Sequence, residues 1–184
     1  MGDRFTSIEP PYQRFIEAQH MFFVATAAPD GRVNLSPKGM DSLRILSDQR
    51  VAWINVSGSG NETAAHVQAA PRMTLMFCAF EGDALILRLY GAARMTQWHE
   101  PGWAEAAAPF PAMAGARQVF ELDVDLVQTS CGTGVPLMDY RAQRGPEELL
   151  PFYADMGEDG VRDYWRRKNR LSLDGAETGI LPDR

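Results

Sequence analysis

Cysteine is nearly missing from this chain of 184 residues: Cys78 and Cys131 are the only two, far apart and in no C-x-x-C spacing. That argues against a metal site built on thiolates and for a reducing compartment. No segment approaches the ~20 apolar residues of a membrane span. The first 25 residues include Asp3, Arg4, Glu9, Arg14 and Glu17, so the apolar run of a secretory signal is missing too. A soluble, cytoplasmic protein without a membrane partner is expected. Positive charge is also in short supply, with 18 basic against 24 acidic residues and a net charge of −6. Residues 1–136 carry 10 and 14 of these and residues 137–184 carry 8 and 10. Neither part is a basic lobe, which excludes the usual electrostatic footprint of a nucleic-acid partner. Lysine is the scarcest cation: only Lys38 and Lys168 are present. The three histidines, His20, His66 and His99, form no metal-binding pair, and no G-x-S-x-G elbow, phosphate-binding Walker loop or G-x-G-x-x-G fingerprint occurs.

What is present is an ordinary globular chain, 45% apolar and 23% charged. At this length it should bury roughly 70% of its unfolded surface and hold a core without staples. Pro10-Pro11 followed by Tyr12, Phe15, Ile16 and Gln19 predicts a short helix. Met21–Ala25 reads as a strand buried on both sides. Pro29-Asp30-Gly31 is a turn, because proline pre-sets φ and glycine accepts a positive one. Arg32–Ser36 then returns as the second strand of a hairpin, with Val33 and Leu35 expected to pack into the core. Further strands are expected at 51–55, 73–78, 85–90 and 120–126, and an alanine-rich helix between residues 61 and 69, halted before Pro71. Six short strands with hairpin-sized turns predict a mainly β protein, a six-stranded antiparallel barrel with short flanking helices. After Pro136 the pattern turns helical. Val161, Tyr164, Trp165 and Lys168 share one face, and Asp163 and Arg167 make an i,i+4 pair on the other. We therefore expect a barrel domain over residues 1–136 and a helical extension over 137–184 packed on it.

Three features carry candidate chemistry. Gly58-Ser59-Gly60-Asn61-Glu62-Thr63 joins a strand to the alanine-rich helix. Its glycines free backbone N–H groups for a ligand, its hydroxyls and amide add donors, and the helix N-terminus adds partial positive charge. The plainer reading is a strand–helix loop with Asn61 as N-cap and Glu62 in the first turn, and Glu62 would repel a phosphate. In the second feature, Arg32, Asn34, Ser36 and Lys38 share one strand face. A compact ammonium at position 38 suits a phosphate or the edge of a flavin ring, the plainer reading being a charged, solvent-facing strand edge. Third, Arg88 interrupts an apolar strand at the opposite parity to Leu87 and Leu89, where it meets water or an anion. Cys131, in Ser130-Cys131-Gly132, reads as a plain thiol for want of a neighbouring cation.

Taken together, FFVATAAPDGRVNLSPKG (22–39), SGSGNETAAH (57–66), PRMTLMFCAFEG (71–82), LRLYGAAR (87–94), QTSCGTGVPLMDY (128–140) and YWRRKNRLSLDG (164–175) resemble the pyridoxamine 5′-phosphate oxidase-related family of FMN-binding split barrels. The resemblance implies a six-stranded split barrel, a homodimer, and FMN in clefts between the subunits. Its FMN contacts fall on Asn34, Ser36 and Lys38 and on the Gly58–Thr63 loop. At Asn61, Glu62 and Thr63 the vitamin B6 oxidases carry Ser, Arg and Lys for the FMN phosphate. Two cations are thus replaced here, and Lys38 and Arg88, with Arg72 behind them, are the candidates to take over. The C-terminal Trp, Arg and His set with which those oxidases bind substrate phosphate is missing from Asn169–Gly175, which separates this chain from that subgroup. The expected function is FMN binding with flavin-dependent oxidoreductase activity on a small substrate, reduced by that substrate or by a nicotinamide donor. No residue is singled out as catalytic. The competing readings are a non-catalytic flavin- or haem-binding module and a reductase using the deazaflavin F420.

Overall fold

The computed structural model, which describes residues 2–182, is built on one open, antiparallel sheet of eight strands. β1 (Arg4–Phe5), β2 (Phe22–Thr26), β3 (Asn34–Lys38), β4 (Leu43–Ser47), β5 (Arg50–Val56), β6 (Arg72–Cys78), β7 (Ile86–Gln97) and β8 (Ala116–Ser130) run in the order β3-β2-β6-β7-β8-β5-β4, with β1 added to β8. Four α-helices accompany them, α1 (Pro10–Ala18), α2 (Glu62–Ala69), α3 (Trp103–Ala107) and α4 (Leu150–Lys168), with a π-helical segment over Gly145–Leu149 leading into α4. The mostly antiparallel split-barrel class is as expected, with two more strands than the six foreseen. β1 is only two residues long, and β4 (LRILS) has too little alternation to signal itself.

The Pro29–Gly31 turn closes the β2–β3 hairpin with Gly31 at φ +90°, and Phe22 faces Lys38 while Thr26 faces Asn34. β2 alternates between buried and half-buried instead of being covered on both sides. In β3 the expected faces are exchanged. Val33 is 75% and Leu35 61% exposed, while Asn34, Ser36 and Lys38 turn inward. The polar residues face the molecule because a second cluster of polar groups awaits them there.

β7 and β8 run well past their expected ends. Gly-Ala-Ala after Tyr90 reads as the end of a strand, yet β7 continues through a register shift at Tyr90/Gly91. A Cβ at Gly91 would lie 1.9 Å from the carbonyl oxygen of Asp123, so only glycine allows β8 to approach so closely. The core between sheet and helices is formed by Trp53, Phe77, Phe120, Leu75, Leu87, Leu89 and Leu122, all under 2% exposed, with Ala64 and Val67 of α2 on top.

The C-terminal region docks through Tyr153, Val161 and Trp165 of α4 and through Ile180, against Val56, Trp98 and Ala114. The helical face is the expected one for Val161 and Trp165, but Lys168 is exposed, and Asp163 pairs with Arg166 rather than Arg167. Gly157 (φ +67°, ψ 170°) kinks α4.

Candidate functional site

Asn34, Ser36 and Lys38 of β3, the Gly58–Asn61 loop, and Glu62 and Thr63 at the start of α2 line one cleft of about 840 Å³, a size suited to a small cofactor. The two sequence-distant segments touch directly: Asn34 Nδ2 donates to Thr63 Oγ1 at 3.2 Å. Arg88 is not among them. It has the parity of the sheet face away from the core, and its guanidinium donates to Ser130 Oγ. Arg72 is exposed at the start of β6. Within one chain, neither replacement cation from β6 or β7 reaches the cleft.

Lys38 Nζ donates to Asn55 Oδ1 at 3.3 Å and stands 5.0 Å from the centre of the Trp53 ring. A directed run of buried amides follows. Asn55 Nδ2 donates to Gln118 Oε1, Gln118 Nε2 to Gln97 Oε1, and Gln97 Nε2 to the Thr178 carbonyl. Each amide has its acceptor filled and its donor used, so the Asn55 oxygen is fixed toward the ammonium. Burial, with Arg117 as a second cause, lowers Lys38 from 10.5 to about 8. Beside it Ser36 Oγ is buried without a partner. Asn34 is oriented from behind: its Nδ2 also reaches Thr26 Oγ1, which bonds His66 Nδ1 at 3.1 Å. His66 is thus a structural histidine. With Nδ2 spent on two hydroxyls, Asn34 offers the cleft its carbonyl oxygen.

Sequence reasoning missed Arg117. It is only 3% exposed, lines the same cleft, donates through Nη2 to the Gly60 carbonyl at 2.7 Å, and leaves Nε and Nη1 without partners. The register places it. Asn55 pairs with Gln118 and Val56 with Ala116, so Arg117 is the extra residue of a β-bulge and its side chain is re-aimed. The only trace in the sequence is two consecutive polar residues, Arg117-Gln118, in a strand that is otherwise apolar on one face.

The loop is held from outside by the C-terminal region. Trp165 Nε1 donates to Ser57 Oγ, Asn169 Nδ2 to the Gly58 carbonyl, and Asn61 Nδ2 to the Asn169 carbonyl. Asn61 stands at the N-cap position but makes no cap bond. Glu62 Oε2 accepts the Leu173 N–H at 2.8 Å, making Glu62 a clasp between α2 and the C-terminal segment. Glu62→Ala is expected to cost about 1 kcal/mol, a fall of roughly 2–4 °C in Tm, and to speed proteolysis within residues 170–182. A variant as protease-resistant as the wild type would show that the bond carries no weight.

A larger recess, about 1240 Å³, lies between α2, β7 and the C-terminal segment. Its arginines are neutralised: Arg94 pairs with Glu121 and Asp123, Arg166 with Asp163, and Arg170 with Glu177. The smaller cleft, with buried and unpaired cations, is therefore the candidate site. Among the described residues there is no cluster of three metal-ligating side chains and no helix long and apolar enough to cross a membrane.

An open antiparallel sheet with a cation-lined cleft between an edge strand and the mouth of a short helix defines a split-barrel protein. The family model for pyridoxamine 5′-phosphate oxidase matches residues 8–131, and the chain belongs to that family. Its C-terminal segment, used here to clasp α2, sets it outside the vitamin B6 oxidases. The pyridoxamine 5′-phosphate oxidase family protein ustO of Aspergillus flavus is 35% identical over 173 residues, 85% of this chain and 70% of that protein. Among solved structures, HupZ of Group A Streptococcus shares the fold at a TM-score of 0.53 and 18% identity, over 71% of this chain and 99% of that one. A Lactobacillus delbrueckii protein shares the fold at a TM-score of 0.53 and 14% identity, over 67% of this chain and 94% of that one.

Proposed function

We propose that the β3–β5–α2 cleft binds FMN and that the protein is a flavin-dependent oxidoreductase acting on a small substrate. The observation that carries this reading is the pairing of a buried ammonium, Lys38, with an orphaned buried hydroxyl, Ser36, in a cleft of cofactor size. A buried polar atom without a partner is costly, and a polar ligand with an electron-rich edge supplies what both groups lack. The residues fit a flavin nucleotide: Lys38 offers positive charge, Ser36 a hydroxyl, Asn34 an acceptor, and the glycine loop unhindered backbone. When bound, the flavin supplies the two-electron transfer. The chain's part is to hold the ring, keep the Lys38 proton in place below about pH 8, and keep water from the buried side. The cleft is lined by neither histidine nor cysteine, which weighs against haem.

Denaturing the purified protein and identifying the released chromophore tests the proposal. Released FMN, or stoichiometric uptake of added FMN, is the expected result. F420 fluorescence, a Soret band, or no binding of FMN at all would overturn it. Bleaching by a nicotinamide donor or substrate would establish turnover, whereas bleaching by dithionite alone would leave a binding module.

A second copy of the chain is the proposed partner. Leu35 on edge strand β3 and Val33 just before it are largely exposed, and so is Leu173 (73%), held nearby through the Arg32–Asp174 ion pair. Such an apolar edge invites cover. Leu35→Glu is expected to convert a dimer to a monomer in sedimentation and to lower FMN content with it. A wild-type monomer would refute the dimer.

A further inference from the structure

We infer that Arg117, re-aimed by the β8 bulge, is this chain's anion clamp and grips the phosphate of a phosphate monoester, the terminal group of the flavin nucleotide. The identity of the nucleotide rests on the reading above, but the clamp does not.

Two independent features lead to it. The first is an imbalance of charge. Arg117 is buried, and its neighbours supply one carbonyl, that of Gly60, for a group with five N–H donors. Burial lowers Arg117 to about 10, opposed by Tyr153, Tyr164 and Glu62. None of these makes a hydrogen bond to it, and Glu62 spends its Oε2 on Leu173. A guanidinium shut away from water with no carboxylate hydrogen-bonded to it is retained at a cost in stability. That cost is met when an anion reaches the free Nε–H or Nη1–H, which lie on opposite sides of the planar fork with Nη2 between them.

The second feature is the mouth of α2. Here the position that would take an anion by helix polarity is held by a carboxylate: Glu62 lies in the first turn, and Oε1 comes within 3.0 Å of where a Cβ on Gly60 would stand. An anion placed at the helix terminus meets that charge. Arg117 offers the alternative on the side of the same loop where no carboxylate bonds, and Lys38 adds a second positive charge within electrostatic range. Two cations lost from the loop are thereby replaced from β3 and β8.

A merely structural role makes the opposite prediction, so Arg117→Met decides. The ligand-free variant is expected to melt at or above the wild-type temperature, because an unpaired buried charge is removed. Inorganic phosphate, compared with chloride at equal ionic strength, should raise the wild-type Tm and leave that of Arg117→Met unmoved. In titrations followed by flavin fluorescence, the wild type should prefer FMN to riboflavin by at least about tenfold. Arg117→Met should bind both about equally, with riboflavin affinity within about twofold of wild type. Arg117→Lys, a single point charge, should restore part of both effects. A Met variant that melts far below wild type or fails to fold would show a structural brace and overturn the proposal. So would an unchanged phosphate response or an unchanged preference for FMN. If neither flavin binds the wild type but the Arg117-dependent response to phosphate persists, the flavin reading falls and the clamp stands.

Discussion

Replacing Lys38 by methionine is expected to lower FMN affinity by about 10- to 100-fold without unfolding the sheet. The methionine stem fills the same space beside Trp53, and what is lost is the charge that faces the cleft. The amide run from Asn55 to Thr178 holds that ammonium in place, so its loss is not made good by another side chain. Titration of the same group gives a second readout. Lys38 is lowered from 10.5 to about 8 in the folded protein. Wild-type affinity for FMN should therefore be level below about pH 8 and fall above it, toward that of Lys38→Met, whose own profile stays flat. The sign for stability is the reverse. Between about pH 8 and 10.5 the unfolded chain binds more protons at this site, so the ligand-free wild type gains stability as pH rises through that window, a gain missing in Lys38→Met. A flat wild-type binding profile from pH 7 to 9, or a Lys38→Met protein purified with full flavin, would remove Lys38 from the site.

Trp53→Ala should have the largest effect on stability, about 3–5 kcal/mol, or a drop of roughly 10 °C in Tm. Trp53 is fully buried on β5, stacked on Phe120 at 4.6 Å and 15°, edge-on to Phe22, and donating Nε1 to Met73 Sδ. None of these neighbours can collapse into the gap, since the first two are pinned by their own strands. Because Lys38 stands over the same ring, FMN affinity should fall as well, even at temperatures where the variant is folded. Trp53→Phe, which keeps an aromatic surface, should recover most of both. A loss below about 1 kcal/mol in Trp53→Ala would mean that the core repacks freely there.

The elements that could be read from the chain are those with a strong local cause. Pro29-Asp30-Gly31 closes a hairpin whatever surrounds it, because φ is set by proline and a positive φ is open to glycine. The alanine-rich stretch forms α2, and the alternation of Phe120, Leu122 and Val124 marks β8. The direction of β3 was not legible in the same way. Its two faces differ by one residue of parity, and which one turns inward depends on Thr63, Asn55 and Trp53 arriving from other elements. β4 was invisible because LRILS alternates too little, and β7 was cut short at Gly91, where a glycine demanded by β8 passes for a turn.

The candidate site divides along the same line. Local composition alone determined that a glycine-rich bend precedes a helix and that a lone lysine shares a strand face with Asn34 and Ser36, since both facts depend only on neighbouring residues and the pitch of a strand. Tertiary structure decided which cations attend that bend. It turned Arg88 to the far face of β7, spent Glu62 on Leu173, and brought in Arg117 through a one-residue slip between β5 and β8. A bulge arises from how two strands about sixty residues apart come into register, and no property of Arg117 or its neighbours in sequence records it.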